Sequence, residues 1–308
     1  MTILFFEQLL NGLQLGIFLF LVSAGLTLIF GFMSVINLAH GSLYMIGAYA
    51  AATFIRLTGS FPLGVLLALG ATALAGLIIE VAVIRALYKR DHLDQVLATF
   101  GLILFINELV TMVFGRTPLF LDMPPALYGT VELVPGLPYP LYRLVIIAVG
   151  LLVALALWLI IARTRTGMLI RAGTTNREMV EALGVNIAAL NTLLFGLGAV
   201  FAGLAGAMAG PLMSVEVGMG DGLLILCFVC IVIGGIGSIR GALVGSLLVG
   251  VVDTLGRAFI PDLLKLFLPP ASADGIGAGL SSMAIYILMA AVLIVRPSGL
   301  FPVARRAG

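Results

Sequence analysis

Long apolar stretches alternate with short polar segments along almost the whole chain. Nine windows are apolar enough to be helices that cross or enter a bilayer: 8–33, 41–57, 62–84, 93–114, 141–162, 192–212, 222–237, 241–260 and 280–296. A helix needs roughly 20 mostly apolar residues to cross the hydrocarbon core, and several windows reach that length. The pattern predicts an all-α polytopic membrane protein with about eight to ten transmembrane helices, some of them broken or short.

Composition agrees with this prediction. Of the 308 residues, 62% are hydrophobic and only 10% are charged, whereas a soluble domain carries about 25% charge. The formal net charge of +2 is too small to indicate nucleic-acid binding. We expect residues 1–308 to form a single transmembrane domain. Its surroundings should be membrane lipid, and we expect no nucleic-acid partner.

The basic residues indicate an orientation. If the N-terminus faces outside and every window crosses, eleven of the sixteen basic residues lie inside: Arg85, Lys89, Arg90, Arg163, Arg165, Arg171, Arg177, Arg240, Arg296, Arg305 and Arg306. Inside loops carry an excess of Lys and Arg. We therefore expect a multi-pass chain with a cytoplasmic C-terminus, a cytoplasmic loop over 163–191 and an outer loop over 115–140. The proline-rich outer loop predicts irregular structure or a short hairpin.

Two windows contain polar or glycine-rich interruptions. One interruption brings Asn37, His40 and Ser42 into an apolar run, and the other is the segment "VIGGIGSIRGALVG". Irregular backbone at membrane depth is tolerated only where protein or a water-filled cavity surrounds it. Both interruptions are candidates for the wall of a permeation path, and the alternative is close helix packing through small residues.

The inside segment "RAGTTNREMVEALGVN" predicts a short helix over 175–184. Thr175 and Glu178 have the spacing of a capping box, and Gly184 is a typical left-handed stop. Met179 and Leu183 belong to an apolar face that also includes Val180 and Ala182. Such a face indicates a binding partner, or else a helix that lies on lipid headgroups or on the chain's own spans.

Ionisable residues inside the windows favour structural pairs. Asp253 and Arg257 are four residues apart on one predicted helix, and Glu80 precedes the basic residue Arg85. No phosphate-binding loop and no H-E-x-x-H motif is present in the sequence. These observations predict that the chain is not an enzyme.

Three segments carry a resemblance to a known family. "RTGMLIRAGTTNREMVEALGVN" resembles the cytoplasmic coupling loop of bacterial ABC importer permeases, although Glu181-Ala182 lacks the second alanine of the common E-A-A form. "NLAHGSLYMIGAYAA" and "GGIGSIRGALVGSLLVG" are more specifically similar to branched-chain amino acid permeases of the LivH type. The likeness extends over nearly the whole chain.

The resemblance implies an ABC importer permease fold in the bacterial inner membrane and a set of partners. These partners would be a second, LivM-like permease subunit, two cytoplasmic ABC ATPase subunits and a periplasmic amino-acid-binding protein. ATP and Mg would be used by the ATPase subunits, with no cofactor bound by this chain. The residues expected to couple to an ATPase are Thr175, Asn176, Arg177, Glu178, Met179, Val180, Glu181, Ala182, Leu183 and Gly184. The residues expected along the path are Asn37, His40, Ser42, Gly234, Gly235, Gly237 and Ser238.

Other transport functions stay open at the level of sequence. Related ABC permeases carry urea, amides or other amino acids. An ion-coupled secondary transporter would use intramembrane carboxylates such as Glu108 and Asp253 together with broken helices. The capped helix at 175–184 favours the ABC importer, because a secondary transporter that works alone needs no such docking element.

Overall fold

Helices dominate the structure, a computed structural model that describes residues 2–302. The helices are α1 (Thr2–Met33), α2 (His40–Thr58), α3 (Phe61–Ile79), α4 (Arg85–Leu87), α5 (His92–Phe114), α6 (Leu141–Arg163), α7 (Arg165–Thr175), α8 (Arg177–Ala182), α9 (Ile187–Ala209), α10 (Met219–Gly234), α11 (Ile239–Leu264) and α12 (Pro270–Val295). A π-helical turn, Glu80–Ile84, joins α3 to α4, and a short 3₁₀ turn spans Pro125–Leu127. Arg305 and Arg306, which entered the orientation argument, lie outside the described residues.

Seven helical segments within 2–302 are long and apolar enough to cross a membrane. They are Ile3–Met33, Phe61–Leu87, His92–Phe114, Leu141–Arg163, Ile187–Ala209, Ile239–Leu264 and Pro270–Val295. The predicted windows 41–57 and 222–237 are also helical, as α2 and α10, but α10 has only 16 residues. The expected all-α polytopic architecture is therefore confirmed, with short helices among the long ones.

The chain divides into two compact units. The first unit contains residues 2–20, 125–154 and 226–302, and the second contains residues 21–124 and 155–225. In the first unit, α11 packs along α12. In the second unit, α2 packs against both α3 and α9, and α3 also contacts α9.

Glycines allow the backbones of α2 and α9 to touch. A methyl group on Gly47 of α2 would overlap the Cα atom of Gly203 on α9, and a methyl on Gly206 would overlap the carbonyl oxygen of Tyr44. Helices in membranes associate largely through such close van der Waals contact, because lipid tails are as apolar as the side chains. The core of the second unit is thus built around this helix crossing.

Part of the predicted outer loop forms an antiparallel hairpin in the first unit. Strand β1 (Thr130–Val134) pairs with β2 (Leu137–Pro140), with Gly136 at a φ of 85° in the turn. The Glu132 carboxylate accepts a 2.8 Å hydrogen bond from the Gly136 N–H and closes this turn. The expectation of a short hairpin within 115–140 is confirmed.

Both predicted interruptions are true helix breaks. Between α1 and α2 the chain is non-helical, and Ser34 has a φ of 52°. Between α10 and α11, Gly235 and Gly237 have φ values of 104° and 83°. Side chains other than glycine rarely adopt these angles, so the two glycines permit the sharp change in direction.

Candidate coupling helix and translocation path

The short helix α8 begins one residue later than the sequence predicted. The Oδ1 atom of Asn176 accepts a 2.9 Å hydrogen bond from the Met179 N–H, so Asn176 is the N-cap. The proposed capping box with Thr175 and Glu178 is wrong, because α7 continues through Thr175. The Thr175 hydroxyl instead donates to the Arg171 carbonyl within α7.

The C-terminal end of α8 is the one expected. Gly184 has a φ of 86°. Its N–H bonds to the Glu181 carbonyl at 2.9 Å, and the Val185 N–H bonds to the Val180 carbonyl at 3.3 Å. This pair of hydrogen bonds is a Schellman motif. A cap at each end fixes a helix that would be too short to persist alone in water.

The apolar residues of α8 are divided between two environments. Val180 is 5% exposed and faces the chain, whereas Met179 and Leu183 are 57% and 76% exposed. Met179 and Leu183 are four residues apart and therefore lie on the same side of the helix. Val180 anchors α8 to the rest of the chain, while the Met179 and Leu183 side chains form an apolar surface that the chain itself leaves uncovered.

Asn37, His40 and Ser42 are buried in the second unit. Their side-chain polar atoms have no hydrogen-bond partner among the described residues. The His40 ring lies near the Val22 backbone, but neither ring nitrogen meets hydrogen-bond geometry. A buried polar group left unsatisfied costs about 1–3 kcal/mol, so a protein usually supplies it with water or another polar molecule.

The break that holds Asn37 is tied to a neighbouring turn. The Gln95 side-chain oxygen accepts a 3.1 Å hydrogen bond from the Ile36 N–H. Its amide nitrogen donates to the Leu87 and Arg90 carbonyls at 3.3 and 3.1 Å. The irregular backbone before α2 is therefore held in place by one buried side chain.

The glycine-rich break lies in the first unit. Ser238 is the N-cap of α11, since its Oγ accepts a 3.1 Å bond from the Gly241 N–H. A methyl on Gly234 would overlap the Gly241 carbonyl, and the Gly234 carbonyl also accepts a hydrogen bond from the Phe301 N–H. Close packing thus accounts for Gly234, and a positive φ accounts for Gly235 and Gly237.

The two sets of predicted path residues belong to different units. Asn37, His40 and Ser42 are in the second unit with all of α8, whereas residues 234–238 are in the first. Beside each break, two glycines lie in close contact within one unit. Gly41 lies against Gly220 in the second unit, as Gly241 lies against Gly234 in the first.

Sequence reasoning missed three further buried polar residues in the second unit. Ser23 and Thr27 on α1 and Asn191 on α9 are buried, and their side-chain oxygens have no protein partner among the described residues. A signal was available, because Ser23 and Thr27 are four residues apart on one face of an apolar helix. This spacing alone does not predict a polar site, because single hydroxyls in a span commonly bond to their own helix backbone.

The two carboxylate pairs expected from the sequence are present. The Asp253 carboxylate accepts from the Arg257 Nε at 2.9 Å in the first unit, and the Glu80 carboxylate accepts from Arg85 at the same distance in the second. Each carboxylate is thus engaged by a cation on its own segment.

A family of known proteins matches most of this apolar chain. The family described as "Branched-chain amino acid transport system / permease component" matches residues 8–295. The chain belongs to this family. It is therefore a multi-pass permease of the ABC transporter class associated with amino-acid transport.

Named relatives cover almost the same length. The permease is 31% identical over 311 residues to the high-affinity branched-chain amino acid transport system permease protein BraD of Pseudomonas aeruginosa, with 96% of this chain and 95% of the relative covered. It is 29% identical to LivH of Escherichia coli strain K12, with the same coverage. It is 28% identical to a probable branched-chain amino acid transport permease protein LivH of Methanocaldococcus jannaschii, with 92% and 88% covered. No solved structure matches the permease.

Proposed function

We propose that the permease is one membrane subunit of an ATP-driven importer of branched-chain amino acids. Family membership and the names of the relatives support the class of cargo. The helix α8 is the observation that supports ATP-driven transport. It is capped at both ends, anchored by Val180 and apolar on its exposed side. In a chain without a phosphate-binding loop, such a helix is suited to receive movement from a separate motor.

In this proposal the importer contains a second, LivM-like permease subunit, two cytoplasmic ABC ATPase subunits and a periplasmic amino-acid-binding protein. ATP and Mg are used by the ATPase subunits, and this chain binds no cofactor. The permease lies in the bacterial inner membrane, with its N-terminus outside and its C-terminus in the cytoplasm. A reporter enzyme active only in the cytoplasm, fused to the C-terminus, tests that orientation.

The coupling site consists of residues 175–184, with Met179 and Leu183 as its contact residues. Both side chains are more than half exposed, and burying apolar area is the main favourable term in most protein associations. Arg177, Glu178 and Glu181 surround them and give the contact a polar rim, as in other protein interfaces. When the ATPases close on ATP, the helix moves as a rigid handle.

The translocation path includes Asn37, His40 and Ser42. A branched-chain amino acid is a zwitterion with an apolar side chain, so its path needs polar groups set in apolar walls. The unpartnered polar atoms of these three residues support this role, because water or the passing cargo would satisfy them. Gly234, Gly235, Gly237 and Ser238 form the second break, where the positive φ of Gly235 and Gly237 permits a sharp bend beside a path.

Uptake measurements test the proposal directly. Cells that carry the complete transporter are given radiolabelled leucine, with the ATPase subunits either intact or inactivated in their ATP sites. We expect uptake to be lost when ATP hydrolysis is abolished and to be competed by unlabelled isoleucine and valine. Uptake that persists without the ATPases and collapses with a proton uncoupler would instead identify an ion-coupled transporter. Competition by urea or amides alone would identify a different cargo.

A further inference from the structure

A buried carboxylate lies where the helix α3 changes its winding. Glu80 opens the π-helical turn Glu80–Ile84, and its side chain is 0% exposed. Single π-helical turns within α-helices are uncommon and occur frequently at functional sites. Neither the path nor the docking surface described above uses this residue.

Three side chains saturate the Glu80 carboxylate. Its Oε2 atom accepts from Arg85 Nη2 and from the Thr192 hydroxyl, each at 2.9 Å. Its Oε1 atom accepts from the Tyr88 hydroxyl at 2.6 Å and from Arg85 Nε at 3.3 Å. A buried carboxylate is tolerated when its remaining lone pairs are hydrogen-bonded in this way. Because Thr192 belongs to α9, Glu80 joins the end of α3 to the first turns of α9.

The same cluster reaches α8 through Tyr88. The Arg177 guanidinium carbon lies 5.9 Å from the centre of the Tyr88 ring, within the range of a cation–π interaction. Burial, and then the hydrogen bond to Glu80, raises the pKa of Tyr88 well above its usual range. The phenol therefore stays protonated and donates to the carboxylate, while its ring supports the first residue of α8.

We propose that Glu80 is a positioning residue that transmits the displacement of α8 to α3 and α9. The line of contact runs from Arg177 through Tyr88 to Glu80, and from there to Thr192. This inference rests on the proposed function, because it assumes that α8 is moved by an ATPase. Hydrogen-bonded and packed groups of this kind change between discrete arrangements rather than deforming smoothly. A displacement of α8 can therefore be passed on to α3 and α9.

The alternative is a cluster that only stabilises the fold, and mild substitutions separate the two. Tyr88→Phe removes one hydroxyl and keeps the ring beneath Arg177, whereas Arg177→Lys keeps the charge and loses the planar cation. Lys89→Gln is the matched control, because Lys89 is exposed beside Tyr88 and takes no part in the line of contact.

The test uses the complete transporter reconstituted in proteoliposomes, with leucine uptake and ATP hydrolysis measured in the same vesicles. We expect Tyr88→Phe and Arg177→Lys each to lower the leucine taken up per ATP hydrolysed by about threefold or more. For Tyr88→Phe the amount of bound ATPase should not change, because Tyr88 lies outside the docking surface to which Arg177 belongs. The double variant should be little worse than the stronger single one, because both act on one line of contact.

Two results would overturn the inference while leaving the proposed function intact. The first is an unchanged ratio of uptake to hydrolysis in both variants. The second is a parallel fall of uptake, hydrolysis and thermal stability, which a purely structural cluster would give. A third result, leucine uptake by the unsubstituted complex without ATP, would contradict the proposed function. It would contradict this inference as well, because the inference rests on that function.

Discussion

The exposed surface of α8 leads to a quantitative prediction for ATPase binding. We consider the double substitution Met179→Ala and Leu183→Ala, which truncates both contact side chains and leaves the caps at Asn176 and Gly184 in place. Fully burying a side chain of this size contributes about 1.5–3 kcal/mol. Because Met179 and Leu183 are 57% and 76% exposed, covering the exposed parts contributes about 1 and about 1.5 kcal/mol.

The sum, about 2.5 kcal/mol, corresponds to roughly 60-fold weaker binding of the ATPase subunit, since about 1.4 kcal/mol changes a dissociation constant tenfold. The assay titrates ATPase subunits onto the purified full-length permease in lipid nanodiscs. A matched control is Met168→Ala with Leu193→Ala, because these side chains on α7 and α9 are 55% and 50% exposed but lie outside α8. An α8 variant that folds and still binds within about threefold of the unsubstituted chain would refute the docking surface, as would an equal loss in the control.

Three further predictions concern the fold and the path. Gly206→Ala should lower the free energy of unfolding by about 1–3 kcal/mol, because the new methyl overlaps the Tyr44 carbonyl. Gly101→Ala is the control and should cause no loss, because the space around its added methyl is open. Thermal unfolding in detergent compares the two variants. Val180→Ala should weaken ATPase binding indirectly, because α8 loses its buried anchor, and protease sensitivity at 176–184 should rise with it. Asn37→Leu should reduce leucine uptake about tenfold or more at unchanged protein abundance, and normal uptake would remove Asn37 from the path.

Features set by neighbouring residues could be predicted from the sequence. The helical windows follow from hydropathy, which is a local property, and all nine correspond to helices of the described chain. The Asp253–Arg257 pair follows from spacing on one helix, and the left-handed turn at Gly184 follows from the absence of a Cβ atom. In each case the deciding interaction lies within a few residues along the chain.

Features set by distant residues could not be predicted in this way. Thr175 and Asn176 are both able to cap a helix, and the choice depended on whether α7 continued through Thr175. The Glu80 cluster includes Thr192, which is 112 residues away. Likewise, no local pattern shows that Gly47 meets Gly203. The roles of Asn37, His40 and Ser42 in transport stay predictions.

The most direct test of the account is site-specific crosslinking from α8 in intact membranes. A photo-crosslinking amino acid replaces Leu183, the C-cap residue of α8, whose side chain is 76% exposed, and a second variant carries it at Met168. The account predicts a covalent product between position 183 and an ATP-hydrolysing subunit, with little product from position 168. Crosslinks from position 183 only to lipid or to the permease itself would contradict it.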